Sequence, residues 1–282
     1  TSSVVSGTGA VTATATTTSN VGDYPITAAL GSLSATNYSF SFTSGTLTVS
    51  KAALTVTADN QTKVYGAANP TLTATITGFK NSQTTAVLTG TAALSTVAAT
   101  GSGVASYAIT ATLGTLASGN YSFGFVDGAL AVTKAPLTVT ADAKNRAYGV
   151  AEPTFTATLT GFVNGEALGT SGVSGTAAVT TTATLTSAAG TYPITPALGT
   201  LAASNYAFTT FTNGTLAIGQ ASQTITFGTL ANKTYGAASF TVAATATSGL
   251  TPSYSIVSGP ATLSGSTITL TGAGTVVVRA SQ

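Results

Sequence analysis

Apolar and hydroxyl-bearing residues alternate along most of this 282-residue chain. Leu54-Thr-Val-Thr-Ala58 and Leu137-Thr-Val-Thr-Ala141 put Leu, Val and Ala on one side and Thr on the other, the period of a half-buried strand. Pro70 and Pro153 open a second alternation over 71–79 and 154–162. Further on, Tyr24-Pro-Ile-Thr, Tyr107-Ala-Ile-Thr and Tyr192-Pro-Ile-Thr set an aromatic ring and an Ile on one face. Ser44-Gly45, Asp127-Gly128 and Asn213-Gly214 separate the last two strands of each set and predict a closing hairpin. A short helical turn fits only at 80–88 and 163–168.

The strands recur in register. Gly7, Tyr24, Asn37 and Gly45 are followed at the same intervals by Gly90, Tyr107, Asn120 and Gly128. Gly175, Tyr192 and Asn205 repeat the series, and Gly214 arrives one residue late. The repeat of about 83 to 87 residues has the size of a small domain rather than of a solenoid rung. It divides the chain into 1–50 (the second half of a repeat), 51–134, 135–219 and a different C-terminal segment, 220–282. That last segment keeps an echo at Tyr235-Gly236, then breaks into closely spaced short strands with Ser-Gly and Gly-Ala-Gly turns, as in a small sandwich. The linkers, Lys51-Ala-Ala and Lys134-Ala-Pro136, are too short to be flexible coil.

These motifs together resemble the MBG domain of the YGX type: the opening Leu-Thr-Val-Thr-Ala-Asp, Tyr65-Gly66 or Tyr148-Gly149, the Gly-Phe at 78–79 or 161–162, and the closing Asn-Tyr-x-Phe and Gly-x-Leu-x-Val. Residues 1–50 resemble the second half of one more such domain, and 221–282 resemble a bacterial Ig-like module. The resemblance covers essentially the whole chain. It implies an all-β fold of β-grasp-like modules with at most a short helical turn. The modules would form an elongated tandem array ending in an Ig-like sandwich. It also implies a place in large bacterial surface or secreted proteins, including adhesins, and brings no catalytic residues with it.

Composition narrows the chemistry. Eight Lys plus Arg against six Asp plus Glu, a net of +2, give no electrostatic footprint for nucleic acid or an anionic membrane. There is no Cys, Met, His or Trp, so disulfides, thiolate nucleophiles and imidazole bases are absent. No apolar run is long enough for a membrane-spanning helix, and residues 1–20 lack the basic start and apolar core of a leader. Glu152 and Glu166 are the only glutamates and match Asn69 and Gln83 of the preceding repeat, which reads as surface variation and not as a glycosidase pair. No Ser has a His partner for a triad. An enzyme is not expected. Tyr65, Tyr148 and Tyr235, each followed by Gly66, Gly149 or Gly236, and Tyr38, Tyr121 and Tyr206 read as core and turn residues; stacking platforms for glycan are the alternative. Asp59 and Asp142 read as turn-forming acids, with a Ca²⁺ site as the alternative; no other cofactor is implied.

Three functions remain. The first is a stalk or spacer segment of a bacterial cell-surface or secreted adhesin, extracellular, whose partners are the neighbouring modules of the same polypeptide. The second is the subunit of a self-assembling extracellular filament such as a biofilm fibre. The third is a module binding host or biofilm glycan. Residues 1–50 add one expectation. Half a sheet cannot bury Tyr24, Ile26, Tyr38 and Phe40 and also pair its edge. Completion should come from an upstream part of the same polypeptide or a strand from a neighbouring subunit.

Overall fold

The structure, a computed structural model, describes residues 4–282. Its elements are strands; the one helical element placed wholly within those residues is a 3-10 turn at Thr85–Val87, where the Thr84 hydroxyl caps the Ala86 amide. The corresponding stretch at 163–168 forms turns only. Thr- and Gly-rich segments of this length hold too little helix propensity to do more.

Contacts divide the chain into two compact units. One comprises residues up to 141 with 156–179 and 196–212; the other comprises 142–155, 180–195 and 213–282. In the first unit, residues 4–50 carry β1 (Val5–Ser6), β2 (Ala10–Ala13), β3 (Gly22–Ala29), β4 (Ser34–Ala35) and β5 (Gly45–Val49). Strands β2, β3 and β5 form an antiparallel sheet in that order, and β1 pairs with β4.

Residues 51–134 hold β6 (Ala52–Ala58), β7 (Gln61–Val64), β8 (Ala74–Thr77), β9 (Ala93–Ser95), β10 (Ser106–Thr112), β11 (Tyr121–Val126) and β12 (Gly128–Thr133). They make two facing sheets, ordered β11-β6-β8 and β7-β12-β10-β9. The predicted alternation decides which side chains meet between them. Leu54, Val56 and Ala58 of β6 are buried while Thr55 is exposed. Ala58 packs with Ala98, Ile109, Ala111 and Leu130, and with the half-buried Leu72, Leu94, Tyr107 and Phe125. Both sheets are mixed, because β6 pairs in parallel with β11 and β7 in parallel with β12.

That pairing corrects the predicted hairpin. Across Asp127-Gly128 the chain does not fold back on itself; β11 lies in one sheet and β12 in the other. Each strand takes its parallel partner from the first half of the repeat, so the turn is a corner between sheets. The Asp127 carboxylate accepts the Ala111 amide at 3.1 Å, and a Cβ on Gly128 would lie 2.3 Å from the Ala58 carbonyl oxygen. Glycine is present for close approach of backbones, not for hairpin geometry.

Residues 135–219 repeat the strands as β13 (Ala135–Ala141), β14 (Lys144–Ala147), β15 (Ala157–Thr160), β16 (Ala178–Thr181), β17 (Gly190–Ala197), β18 (Tyr206–Thr212) and β19 (Gly214–Gly219). The sheet β15-β13-β18 belongs to the first unit, and β13 is again parallel to the late strand, with a bulge between Leu137 and Thr138. The second unit contains the sheet β14-β19-β17-β16, built on Ile194, Leu216 and Ile218, all buried. The same unit holds the C-terminal strands β20 (Ile225–Phe227), β21 (Phe240–Thr241), β22 (Ala244–Ala246), β23 (Ser253–Ser258), β24 (Ala261–Ser264), β25 (Thr267–Leu270) and β26 (Val277–Ser281). These pair as β20-β22, β21-β25-β24 and β23-β26 around Val242 and Ile268. Phe227 meets Tyr254 edge to face at 6.1 Å, and the Tyr254 hydroxyl accepts the Ala244 amide.

Leu130 is fully buried between the two sheets, and truncating it leaves a cavity there. Leu130→Ala should cost about 2–5 kcal/mol in urea-induced unfolding, whereas Leu113→Ala on the surface should change stability by about 0.5 kcal/mol or less.

Candidate functional site at the repeat junction

Strand β12 ends at Thr133 and β13 begins at Ala135, so one residue, Lys134, separates the sheets of successive repeats. With so little slack, side chains at the end of one repeat must pack on the start of the next. Tyr65 lies just after β7 and is buried among Val132, Ala135, Leu137 and Tyr206. Its ring meets Tyr206 edge to face, with centroids 5.5 Å apart and planes at 87°. Phe162 meets the Tyr206 ring from another side at 5.5 Å and 76°. Aromatic pairs in this arrangement add about 0.5–1.5 kcal/mol beyond the area they bury.

Both phenols end on one carboxylate. Tyr65 donates to Glu166 Oε1 at 2.6 Å and Tyr206 donates to Glu166 Oε2 at 2.7 Å. These hydrogen bonds, Tyr65 first, hold the Glu166 carboxyl below its ordinary range. The bond to Glu166 pushes the Tyr65 hydroxyl up; burial, then the same carboxylate, pushes Tyr206 up. Around this centre the Asn205 side-chain oxygen accepts the Val104 amide at 3.0 Å, while the Asn205 carbonyl accepts the Ala135 amide at 3.0 Å. Lys134 Nζ donates to the Ala203 carbonyl at 2.8 Å.

The same bonds recur one repeat earlier. Asn120 accepts the Val21 amide at 3.0 Å and donates to Asn20 at 2.8 Å, and Lys51 Nζ donates to the Ser118 carbonyl at 2.9 Å. Tyr121 donates to Gln83 at 2.6 Å and meets Phe79 edge to face. The expectation that Gln83 and Glu166 are mere surface variation is therefore corrected: each accepts a buried phenol. Glu152 is corrected as well: it pairs at 2.7 Å with the buried Arg146, which also donates to the Thr184 carbonyl at 2.6 Å. In the preceding repeat Lys63 donates to the Ala99 carbonyl at 2.6 Å and Asn69 to the Ala98 carbonyl. The signal was the paired exchange of Lys63 and Asn69 for Arg146 and Glu152, visible only when the positions are read together.

The other expected site residues divide by burial. Tyr65, Tyr121 and Tyr206 are buried, so their rings offer no face to a glycan. Tyr148, Tyr235 and Tyr38 are not core: they are 46%, 63% and 65% exposed. Tyr65 is buried against Tyr206 and Val163 and bonds Glu166, all from the following repeat, whereas the segment that follows Tyr148's repeat is of a different kind. Gly66, Gly149 and Gly236 have φ of +84°, +77° and +89°. Each is the third residue of a turn closed by the Ala67, Val150 or Ala237 amide on the carbonyl three residues back, the type II pattern that favours glycine. Asp59 accepts hydroxyls of Thr73 and Thr75, which hold its carboxyl below the ordinary range. Asn60 accepts the Ala129 amide, and Asp142 is also engaged. Among the described residues no three of His, Cys, Asp and Glu gather as a metal site would require.

Comparison with known families agrees with this repeat. The MBG domain (YGX type) matches residues 1–48, 54–131 and 137–217. The chain belongs to that family. MBG domains, like Ig-like ones, are structural modules. No curated protein matches the chain. Among solved structures, the crystal structure of the N-terminal eight Ig domains of Down syndrome cell adhesion molecule isoform 1.30.30 is similar at 11% identity. The alignment covers 87% of this chain and 41% of that one, with a TM-score of 0.21, a likeness too slight to bear on the fold. This chain therefore spans less than half of that structure's length.

The MBG junction has two measurable consequences. Because Glu166 is depressed, its stabilising effect is present above its ordinary value of 4.5 and is lost as pH falls through the lower folded value. The two raised phenols act in the opposite direction: their contribution is present below 10.0 and is lost as pH rises through their folded values. Thermal unfolding across pH should show an acid-side loss that Glu166→Gln, which copies Gln83, reduces, the share from Asp59 remaining. Separately, a Cβ on Gly66 would lie 2.4 Å from Val163 Cγ2, whereas one on Gly149 meets nothing within 4 Å. Gly149→Val should cost about 1 kcal/mol from positive φ alone, and Gly66→Val clearly more; equal melting shifts would contradict the packing described.

Proposed function

We propose that this chain is a stalk or spacer segment of a large bacterial cell-surface or secreted adhesin, and that its work is reach and stiffness without catalysis. One observation carries the reading. Successive MBG repeats are joined through one or two residues, and at the second junction side chains of each repeat complete polar and aromatic contacts of its neighbour. A hinge at this point would have to break the Tyr65–Glu166–Tyr206 centre and uncap the Val104 amide together. Rotation there is therefore costly, and load passes from β12 into β13 with little compliance. The partners in this reading are neighbouring modules of the same polypeptide, with no metal or cofactor. An extracellular location fits a charge-poor, Cys-free composition, and no helix of the described residues is long and apolar enough to cross a membrane.

The absence of Cys allows two spin labels to be placed without background. With cysteines at the exposed Val97 and Leu198, in successive repeats, pulsed electron resonance on the whole chain should give one narrow distance distribution. A broad distribution would show that the junction is a hinge and would remove the basis for the spacer reading.

A further inference from the structure

Tyr148 takes the place in the third repeat that Tyr65 takes in the second, and its ring is left open. Tyr65 is 5% exposed against Val163 and Tyr206 of the next repeat, whereas Tyr148 is 46% exposed and followed by a segment of another kind. The backbone that carries the open ring is nevertheless fixed. Strands β14 and β19 run parallel with Ala147 opposite Gly219, and the Tyr148 amide donates to the Gly219 carbonyl at 2.8 Å. Tyr148 and Gln220 therefore leave the ends of the two strands side by side. Just past the ring the Val150 amide closes a turn on the Ala147 carbonyl at 3.2 Å.

The C-terminal strands bring a second fixed edge to the same place. Thr247 donates its amide to the Thr224 carbonyl at 3.0 Å, and its hydroxyl accepts the Thr224 amide at 2.9 Å. The Gly249 amide closes the next turn on the Ala246 carbonyl at 3.0 Å, and the Ser248 hydroxyl accepts the Leu250 amide at 3.3 Å. Residues from both edges line one open cleft of about 680 Å³, within the second unit. Tyr148, Gln220, Ser222, Gln223, Thr247 and Leu250 give it its character.

The chemistry of this lining is narrow. Among the described residues no charged side chain borders the cleft. Gln220, Ser222 and Gln223 are exposed, and no other group of the described residues engages their side chains. Each carboxamide can donate and accept, and so can each hydroxyl. Tyr148 adds an apolar ring face with a polar tip, and Leu250, 66% exposed, adds an aliphatic patch. The volume falls within the range of about 300–1,000 Å³ that small-ligand sites occupy.

We propose that this cleft binds a neutral glycan, with a sugar ring stacked on Tyr148 and its hydroxyls bonded by Gln220, Ser222 and Gln223. A pyranose matches the lining, since it has a face of C–H groups and a rim of hydroxyls that both donate and accept. An anionic sugar fits poorly, because its carboxylate would lose water here and meet no cation. An aliphatic ligand fits poorly too, because it would cover the amides and hydroxyls without bonding them. The cleft is independent of the spacer reading, since it lies away from the junction of β12 and β13.

The test records saturation-transfer NMR on the whole chain with lactose, maltotriose, mannotriose and triacetylchitotriose, and with trigalacturonate as the acidic sugar. At least one neutral sugar should receive saturation, strongest at the C–H protons of one ring, and should shift the Tyr148 ring resonances. Tyr148→Ala should weaken binding by about tenfold or more, since the stacking face is lost. Gln220→Ala and Gln223→Ala together should weaken it by a similar factor. Both glutamines are exposed, so this pair tests the cleft even where Tyr148→Ala loosens the turn. Tyr235→Ala, on an exposed ring that does not line the cleft, should leave binding unchanged. Absence of binding by every neutral sugar at millimolar concentration would overturn the proposal. So would binding insensitive to both Tyr148→Ala and the glutamine pair, or trigalacturonate binding more tightly than any neutral sugar.

Discussion

The parallel pairing of early with late strands is the constraint on which this structure rests. Within residues 51–134, β6 and β7 stand near the start of the repeat and pair with β11 and β12 near its end. Neither sheet can close until the whole repeat is present, and the intervening chain must be ordered before those contacts are gained. The corner at Asp127-Gly128 is a direct result. The two last strands must find partners in different sheets, so the chain turns from one sheet into the other where a hairpin would have kept them in one.

The same constraint accounts for the junction. The strand that closes one repeat leads after one or two residues into the strand that opens the next. Charge plays little part in holding the ends together, since ionisable side chains are few. The contacts instead come from aromatic edges, amide caps and hydroxyl donors. Glu166 matters because one carboxylate, exposed enough to remain ionised, satisfies two phenols that are themselves buried. Gln83 accepts only the Tyr121 hydroxyl in the preceding junction, so the two joints share geometry and differ in charge.

Much of this was legible in the sequence, and the remainder was not for physical reasons. Alternation in Leu54-Thr-Val-Thr-Ala58 reports directly which side of a strand is buried, and the recurring Tyr-Gly steps mark turns that need positive φ. Partner choice is different, because an Asp-Gly step is compatible with a hairpin and with a corner, and only non-local pairing separates the two. Tyr148 departs from expectation for a related reason. Its own surroundings match those of Tyr65, but burial depends on the identity of the next module, and the module after Tyr148's repeat is not of the MBG type. Glu152 and Glu166 are missed when each is compared with its counterpart alone. Asn69 changes with Lys63, and Gln83 matters only beside Tyr121, so the information lay in pairs.

Adjacent MBG repeats complete each other; they are not merely strung together. The Val104 amide tests this most directly, because its acceptor, the Asn205 side chain, belongs to the next repeat. Native-state hydrogen exchange on the intact chain should show Val104 protected to about the level of neighbouring β10 amides, with that protection lost in Asn205→Ala while β10 itself stays protected. Rapid exchange at Val104 in the unaltered chain would show that the repeats are only linked, and would contradict their mutual completion.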